Sequence, residues 1–313
     1  MIDPFDLTGE RSAVIVDTFR RRVWRHYETF GRHDMPWRKT RDPYRILVSE
    51  IMLQQTQVSR VVMKYGEFLQ RFPDLGSLAR ASQRDVVSAW TGLGYNRRAR
   101  YLHQTAKRIV DDHGSQIPSD PAMLKTFPGI GVNTAGSISC FAYDTAVVFI
   151  ETNIRRALIY SFFSEKPDPE TVEPAFFSER FVAESTEGAW FEPRKTSGII
   201  DDSTLLPLIE MTLDQERPRE WYYALMDYGN ALVRYVANPN RASRQYVRQS
   251  TFEGSRRQVR GRVIRVLSDL PCASENDLLD TTGAPVVRLQ SVLQDLLDEG
   301  LIVQDGPSWR LAE

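Results

Sequence analysis

The sequence predicts an all-α body followed by a small winged-helix-like module at the carboxyl end. Three observations support this fold class. Apolar residues recur at helical spacing over about the first 235 residues, and proline and glycine pairs separate these stretches. The pattern then changes after Asn238-Pro239-Asn240. With 42% apolar and 26% charged residues in 313, the chain has the composition of an ordinary globular protein of about two or three domains.

The first helix is expected from Ser12 to Phe30, ending near Gly31, and Pro43 lies where the second begins. An acidic stretch from 164 to 203, with ten acids and four bases, interrupts the pattern and is not expected to bind a negatively charged partner. In chain order we predict helices over 12–30, 45–58, 61–72, 83–91, 97–113, 121–126, 133–141, 153–163, 204–213 and 221–236.

The carboxyl-terminal region has a different pattern. Three short helices are predicted over 258–270, 275–279 and 285–299, followed by strands 301–304 and 309–312 around Asp305-Gly306-Pro307-Ser308. This order is typical of a winged helix, whose third helix often enters the major groove of DNA. Here the third helix carries Arg288 and Gln290 together with three acids, so DNA contact and protein packing both remain open.

Charge is concentrated between Arg234 and Arg265, which hold nine arginines against the single acid Glu253. Guanidinium groups suit bidentate phosphate contacts, so this run is a candidate nucleic-acid surface. A solvated charged face is the other interpretation. Within the run, Arg256 and Arg257 are our candidates for DNA binding.

Cysteine content and the amino-terminal residues limit the class of protein further. Cys140 and Cys272 are too few for a disulfide framework or a cysteine-rich metal centre, so we expect neither a metal nor another cofactor. The first ten residues carry acids where a signal peptide carries bases, and no run is apolar enough to cross a membrane. We therefore expect a cytoplasmic, nucleoid-associated protein without membrane contact.

A tight turn lies at Phe127-Pro128-Gly129-Ile130-Gly131, between two predicted helices. Two glycines around one apolar residue permit a hairpin whose backbone N–H groups point outward at the start of the next helix. Such N–H groups and the positive helix end form a phosphate site without any side chain. Most turns of this composition do not bind phosphate, so the function of this one must be inferred from the surrounding sequence.

Those surroundings resemble a known family. The segments that carry the resemblance are Met35-Pro36-Trp37-Arg38, Pro43-Tyr44, 49–58 (SEIMLQQTQV), 90–95 (WTGLGY), 97–100 (RRAR) and the hairpin. They resemble the adenine DNA glycosylases of the MutY type, within the helix-hairpin-helix superfamily, and less closely endonuclease III and the thymine and uracil mismatch glycosylases. The resemblance covers about residues 30–160 and resumes at 222–229.

The resemblance implies a bilobed helix-hairpin-helix glycosylase fold. One lobe is expected over 43–154, with the hairpin. The second lobe combines 1–42 with 155–236 and contains the acidic insertion 164–203. A basic linker over 237–254 then leads to the winged-helix-like domain 255–313.

The resemblance also implies which residues contact DNA. Gln54 and Gln55 match positions near the wedge that fills the space of an extruded base, although an ordinary helix end is the alternative. The hairpin contributes Gly129, Gly131, Val132 and Thr134 to phosphate binding. Trp37, Arg38 and Tyr223 are expected at the pocket for the flipped base, and Tyr223 occurs where the adenine glycosylases tend to carry Gln.

Two carboxylates are expected to carry the chemistry. Glu50 matches the general acid of the family, which protonates the leaving base from a desolvated pocket where burial raises a carboxyl pKa. A surface Glu in an ion pair is the alternative. Glu151 occupies the position of the Asp that stabilises the cationic sugar, and its extra methylene alters the reach of the carboxylate. Asp144 is the fallback for this role, and Asp227 is expected to be structural.

Three departures from the family pattern have functional consequences. Asn133 replaces the lysine that strand-cleaving members use as a nucleophile, so a monofunctional enzyme is expected. The chain lacks the four cysteines of the family's iron–sulfur cluster, and the winged-helix-like module stands where an 8-oxoguanine-sensing domain is expected.

We therefore predict a monomeric, monofunctional DNA glycosylase of base excision repair. Its partner is double-stranded DNA with a damaged or mispaired base, and adenine is the preferred base. A glycosylase for uracil, thymine or another modified base, and a non-catalytic lesion-binding protein, are the alternatives.

Overall fold

The computed structural model describes residues 10–163, 199–248 and 251–313. These residues separate into two units: the first consists of 10–34, 144–163 and 199–247, and the second of 35–143, 248 and 251–313. From the sequence, the boundaries between the two lobes were predicted between residues 42 and 43 and between residues 154 and 155. The carboxyl-terminal module belongs to the same unit as the hairpin.

The predicted fold class is confirmed, because the described chain is mainly helical with one small sheet. Short 3₁₀ helices occur at Pro36–Lys39 and Pro239–Ala242. The described α-helices in chain order are α1 Glu10–Phe30, α2 Pro43–Leu53, α3 Val58–Arg71, α4 Leu75–Arg80, α5 Gln83–Ala89, α6 Arg97–His113, α7 Pro121–Leu124, α8 Val132–Tyr143, α9 Thr152–Phe163, α10 Asp202–Thr212, α11 Pro218–Leu232, α12 Arg256–Asp269, α13 Glu275–Thr282 and α14 Val286–Asp298.

In the first unit, α11 is the central helix and packs against both α1 and α9. Its Trp221 is fully buried and meets the ring of Phe19 edge-on at 6.0 Å between centroids. The predicted structural role of Asp227 fits this packing. Its buried carboxylate accepts hydrogen bonds from the Arg32 backbone N–H at 2.8 Å and from Arg32 Nε at 2.6 Å, which fixes the chain that leaves α1.

The helices α9 and α11 pack closely together at Gly229. A Cβ atom at this position would lie 2.0 Å from the backbone oxygen of Asn153. Only a residue without a side chain permits this contact. Its partner, Asn153, follows Glu151 by two positions. Gly229 lies in the segment 222–229 that resembles the family, but the sequence did not predict why glycine is required there.

Gly229→Ala is therefore expected to lower the free energy of unfolding by at least about 1–3 kcal/mol, because overpacking against a backbone atom cannot be relieved by a rotamer change. Urea unfolding monitored by circular dichroism measures this change. Gly66→Ala is the matched control, since Gly66 lies in α3 with nothing within 4 Å of its Cβ position. That control is expected to be neutral or slightly stabilising. Equal effects of the two substitutions would contradict the close-packing explanation.

In the second unit, α2 lies between α3, α6 and α8 and supplies much of the apolar core. Asp42 begins this helix, since its carboxylate accepts from the Tyr44 N–H at 2.9 Å and Pro43 follows as the first helical residue. Ile46, Leu47 and Ile51 are almost fully buried. The face of α2 that carries Glu50 thereby lies beside the hairpin helix α8.

The carboxyl-terminal module consists of α12, α13, α14 and a three-stranded antiparallel sheet in the order β1 (Ala273–Ser274), β3 (Ser308–Leu311), β2 (Ile302–Asp305). The sequence predicted the two-stranded hairpin but missed β1, which is only two residues long. The module packs on the helices before the hairpin. Gln83 Nε2 donates to the Gly300 oxygen at 2.7 Å, and Arg84 Nη2 donates to the Leu270 oxygen at 2.9 Å.

The predicted helices differ from the structure in several details. The second helix ends at Leu53 and not at Val58, and the sequence missed α4, a six-residue helix begun by a capping box at Asp74 and Ser77. The acidic insertion 164–203 lies outside the described residues except for 199–203. There Asp201 caps α10, and Asp202 forms a bidentate pair with Arg155 at 2.7 Å.

Candidate active site

Glu50 is half-buried in the last turn of α2. Its Oε2 lies 2.6 Å from the hydroxyl of Ser137, a buried residue of α8. The serine hydroxyl donates to the carboxylate and accepts from the carboxylic acid, so this contact serves both protonation states of Glu50. Ser137 was not predicted, because no sequence motif marks it and only the packing of α2 against α8 brings it to Glu50.

The hairpin has the backbone geometry that its glycines predict. Gly129 has φ +76°, and a Cβ there would lie 2.9 Å from Tyr101 Cβ, so glycine is required for two reasons. Ile130 is buried, whereas Gly131, Val132 and Asn133 are exposed and Thr134 is half-buried. Val132 begins α8, so the amino-terminal turn of this helix, where the helix dipole is positive, lies at the exposed end of the hairpin and is a candidate phosphate site.

The two glutamines of the proposed wedge differ in surroundings. Gln54 Nε2 donates to the Gly129 oxygen and to Thr134 Oγ1, both at 3.1 Å, so Gln54 connects the end of α2 to the hairpin. Gln55 is exposed and has φ +53°, a left-handed backbone conformation that is costly for a residue with a side chain. Of the two, Gln55 has the more exposed side chain, and a wedge role for either residue stays a prediction.

Arg98 explains why α2 ends at Leu53. Its buried guanidinium donates from Nη1 to the backbone oxygens of Ile51 and Met52 at 2.8 Å and of Gln54 at 2.6 Å. In a continued helix the N–H groups four residues later would bind the Ile51 and Met52 oxygens. A cation at a helix carboxyl end is also favourable for the helix dipole. Burial nevertheless lowers the pKa of Arg98 to about 10.

The same guanidinium contacts a second turn. Nη2 donates to Thr56 Oγ1 and to the Gly94 oxygen, both at 2.9 Å. Arg98 thus joins the turn after α2 to the turn before α6, which contains Tyr95. The segment 97–100 carries part of the family resemblance, but the sequence alone predicted no role for Arg98. Its role depends on carbonyl groups 44 to 47 positions away.

Glu151 immediately precedes α9, in the first unit. Its Oε1 accepts from the backbone N–H groups of Asn153 at 2.6 Å and of Ile154 at 2.8 Å, and its Oε2 accepts from Asn153 Nδ2 at 3.1 Å. The carboxylate therefore caps the helix, a position where its negative charge also meets the positive helix end. Arg156 supports this arrangement by donating to Asn153 Oδ1 at 2.8 Å and to the Gly229 oxygen at 3.0 Å.

Burial raises the pKa of Glu151 above its ordinary range, and this effect exceeds the opposing effects of its surroundings. The opposing effects are the two backbone hydrogen bonds and the positive charges of Arg156 and Arg155, all of which favour the carboxylate. Glu151 is thus a carboxyl group whose charge is costly to bury and is held in place by directed donors. Glu50 and Glu151 belong to different units.

The three residues expected at the base pocket are in different positions. Trp37 is buried in the core of the second unit, where it meets Tyr65 edge-on at 5.6 Å between ring centroids. Arg38 is half-buried in the 3₁₀ helix beside it. Tyr223 is buried in α11 of the first unit, with the Arg219 guanidinium 5.5 Å from its ring centroid. Core packing accounts for Trp37, and a role for any of the three in the base pocket stays a prediction.

The arginines of α12 differ in the residues that they contact. Arg256 forms an ion pair with Asp295, and Arg260 pairs with Glu299 and lies 3.9 Å from Asp295. Arg257 instead lies 3.3 Å from the hydroxyl of Tyr95. Arg256 thus neutralises an acid of α14, and DNA binding by Arg256 and Arg257 stays a prediction.

Three further observations concern a metal site, a membrane span and the fallback carboxylate Asp144. Within the ranges that the structure describes, no three His, Cys, Asp or Glu side chains are arranged to hold a metal ion. In those same ranges no helix combines the length and the apolar character that crossing a bilayer requires. Asp144, the fallback carboxylate, is half-buried with φ +59° in the segment between α8 and Glu151.

Comparison with known proteins agrees with this architecture. Residues 48–179 match the family of HhH-GPD superfamily base excision DNA repair proteins. An adenine DNA glycosylase of Mycolicibacterium smegmatis is 31% identical over 277 residues, which cover 88% of this chain and 89% of that protein. An adenine DNA glycosylase of Mycobacterium tuberculosis is 44% identical over 126 residues, which cover 40% of this chain but only 41% of that protein.

A structural neighbour shows the same fold. The structure of a thermostable thymine-DNA glycosylase superposes with a TM-score of 0.54 and 21% identity, covering 70% of this chain and 88% of that one. The hairpin geometry, the position of Glu50 beside it and the match along nearly the whole M. smegmatis protein agree with one another. This chain therefore belongs to the helix-hairpin-helix superfamily of base excision DNA repair proteins, alongside the adenine DNA glycosylases.

Proposed function

We propose that this protein is a monofunctional DNA glycosylase that removes a flipped, mispaired adenine from double-stranded DNA. The observation that carries the proposal is the contact of the half-buried Glu50 with Ser137 on the helix that follows the DNA-binding hairpin. This contact supports the proposal because it holds a carboxyl group with a directed partner close to the exposed amino-terminal turn of α8. The M. smegmatis relative that matches over most of its length is an adenine DNA glycosylase.

In the proposed reaction, Glu50 acts as a carboxylic acid and protonates a ring nitrogen of adenine. The bond between the sugar C1′ and the base breaks, and its electron pair leaves with the protonated base. The sugar becomes an oxocarbenium-like cation, to which water adds with loss of a proton. The products are free adenine and an abasic site. Ser137 donates its hydroxyl hydrogen to the carboxylate that remains on Glu50.

Glu151 is proposed as the electrostatic partner of the cationic sugar. In this role it must be ionised, and the N–H groups of Asn153 and Ile154 together with Arg156 favour that form against the cost of burial. Preorganised charge of this kind is effective because it does not reorient during the reaction. The same donors fix the position of the longer Glu side chain.

DNA is proposed to lie on the hairpin, with its phosphates on the first turn of α8 and Gln55 filling the space left by the base. Asn133 in that turn has no nucleophilic amine, so the strand remains intact after base removal. We further propose that the protein acts as a monomer on nucleoid DNA, because each step uses residues of a single chain.

The test is a single-turnover excision assay with alkaline strand cleavage. The duplexes carry adenine, uracil, thymine or hypoxanthine opposite guanine or 8-oxoguanine. We expect release of adenine, with strand breaks appearing only after alkali. Breaks before alkali treatment would contradict the monofunctional assignment, and excision of a pyrimidine alone would move the assignment to a uracil or thymine glycosylase. Tight binding without excision of any base would indicate a non-catalytic lesion-binding protein.

A further inference from the structure

The hydroxyl of Ser137 has a single hydrogen but two acceptors within reach. Its Oγ lies 2.6 Å from Glu50 Oε2 and 3.0 Å from the backbone oxygen of Thr134, about one turn earlier in α8. Ser137 is only 4% exposed, so its hydroxyl depends on these partners. The acceptor that takes the hydrogen decides how Ser137 acts on the acid, because a hydroxyl that donates to Thr134 can only accept from Glu50.

The geometry directs this hydrogen to Glu50. A distance of 2.6 Å is typical of strong hydrogen bonds from a hydroxyl to a carboxyl group, whereas 3.0 Å is at the long end for a hydroxyl donor. Within α8 the Thr134 oxygen is also the acceptor for the N–H group of Ile138, four residues later. The Thr134 oxygen is therefore satisfied by the helix and does not need Ser137.

A hydrogen bond donated to Oε2 determines where the acid carries its proton. In a carboxylic acid one oxygen holds the proton, and the other is the better acceptor. Because Oε2 accepts from Ser137, the proton of Glu50 is placed on Oε1. The O–H group of the acid is then directed away from Ser137.

The same hydrogen bond becomes stronger when the proton leaves. Hydrogen bonds to an ionised acceptor are roughly twice as strong as those between neutral groups. An interaction that strengthens during the reaction lowers the barrier, whereas an interaction of constant strength does not. A donated hydrogen bond from Ser137 therefore makes Glu50 a more effective proton donor.

We propose that Ser137 is a positioning residue for the general acid. Its hydroxyl, donated to Oε2, holds the proton of Glu50 on Oε1 and stabilises the carboxylate that forms. The inference rests on the proposed function and deepens it by naming the group that directs the acid. In the proton transfer the bond between Oε1 and hydrogen breaks, its electron pair stays on Glu50, and the proton goes to a ring nitrogen of the base. Ser137 keeps its own hydrogen throughout.

Other titratable groups also pack on α2, and they do not change when Ser137 is substituted. Helix α8 itself contains no Asp, Glu, Lys, Arg or His. From the other elements packed on α2 come the Tyr65 hydroxyl of α3, the Arg98 guanidinium of α6, and Arg38 and Lys39 of the 3₁₀ helix. A change in the protonation of Glu50 among variants of Ser137 therefore reports the contact with Ser137.

The experiment compares three substitutions of Ser137 in the full-length protein. Ser137→Ala removes the hydroxyl, and Ser137→Cys keeps nearly the same volume but offers only a weak donor. Ser137→Thr retains the hydroxyl. Ser139→Ala is the matched control, because Ser139 is a fully buried serine of the same helix whose hydroxyl donates to the Ser119 oxygen at 2.6 Å.

The first measurement is the single-turnover excision rate as a function of pH. Ser137→Ala and Ser137→Cys should lower the maximal rate by about threefold to tenfold. Both should also move the basic limb of the profile, where ionisation of Glu50 stops the reaction, toward higher pH. The reason is that the carboxylate loses more stabilisation than the acid does. Ser137→Thr and Ser139→Ala should keep the wild-type rate and limb.

The second measurement follows the protonation of Glu50 without excision. The protein is labelled with ¹³C at the glutamate carboxyl groups, and the Glu50 resonance is identified by its absence in Glu50→Gln. Its titration midpoint should rise in Ser137→Ala and Ser137→Cys but not in Ser137→Thr. A midpoint that falls would show that Ser137 donates to Thr134 and would overturn the proposal. A lower rate with an unchanged midpoint would also overturn it, because Ser137 would then contribute only packing.

The two measurements separate this inference from the proposed function. A raised midpoint in a protein that excises no base would keep the effect of Ser137 on Glu50 and reject the glycosylase function. Normal excision by every Ser137 variant, together with an unchanged midpoint, would do the opposite.

Discussion

Glu50→Gln is expected to reduce the single-turnover excision rate by about 10²–10⁴-fold, the usual contribution of a positioned general acid. The amide has nearly the shape of the carboxyl group and still bonds to Ser137, but it cannot deliver a proton to the leaving base. DNA affinity, measured by fluorescence anisotropy, should change less than about threefold because Glu50 does not contribute to the phosphate site.

Glu67→Gln is the matched control for this substitution. Glu67 is an exposed acid of α3 whose only described partner is Lys64, at 2.7 Å. Its removal leaves the region around α8 unchanged. Ser137→Ala is expected to slow excision less than Glu50→Gln, since it removes a positioning contact and not the proton donor. Turnover at the wild-type rate in Glu50→Gln would reject Glu50 as the acid.

Glu151→Gln is expected to reduce the excision rate by about 10²–10³-fold, because it removes the charge that stabilises the cationic sugar. Its amide oxygen still accepts from the backbone N–H groups of Asn153 and Ile154, so the start of α9 is retained. The rate loss should therefore occur without unfolding. Paired measurements of single-turnover rate and urea denaturation separate the two effects.

The raised pKa of Glu151 determines how its contribution to stability changes with pH. Because burial raises the pKa in the folded protein, the folded state binds a proton more readily than the unfolded chain does. The stability contribution of Glu151 is then greatest at acidic pH and is lost as pH rises from the ordinary carboxyl range through the raised pKa. Glu151→Gln should accordingly be at least as stable as the wild type at neutral pH.

The rate depends on pH in the opposite direction. Excision requires ionised Glu151, so the rate should fall as pH decreases through the raised pKa, and Glu151→Gln should lose this acidic limb. Glu151→Asp, which restores the shorter carboxylate typical of the family, should retain the limb and part of the rate. A stable Glu151→Gln variant with the wild-type excision rate at every pH would reject the electrostatic role of Glu151 and leave only its role as a helix cap.

Several features followed from the sequence because they depend on neighbouring residues. Helical spacing and the punctuation by proline and glycine predicted most of the helices and the two-stranded hairpin of the module. The Pro-Gly-x-Gly turn predicted the geometry at Gly129, since a positive φ is a local property. Glu50 and Glu151 were identified by resemblance, which also depends on short segments. The surroundings of both residues were not predictable in this way.

Tertiary structure alone decided the contacts that connect distant parts of the chain. Ser137 meets Glu50 across 87 positions, and Arg98 ends α2 by binding carbonyl groups more than 40 positions away. Asn153 approaches Gly229 so closely that only glycine fits, and Arg257 reaches Tyr95 across 162 positions. Local periodicity carries no information about such pairs, because they form only when helices pack. The sequence by itself determined the helices, the hairpin and the candidate carboxylates, while packing determined their partners and the contacts of the carboxyl-terminal module.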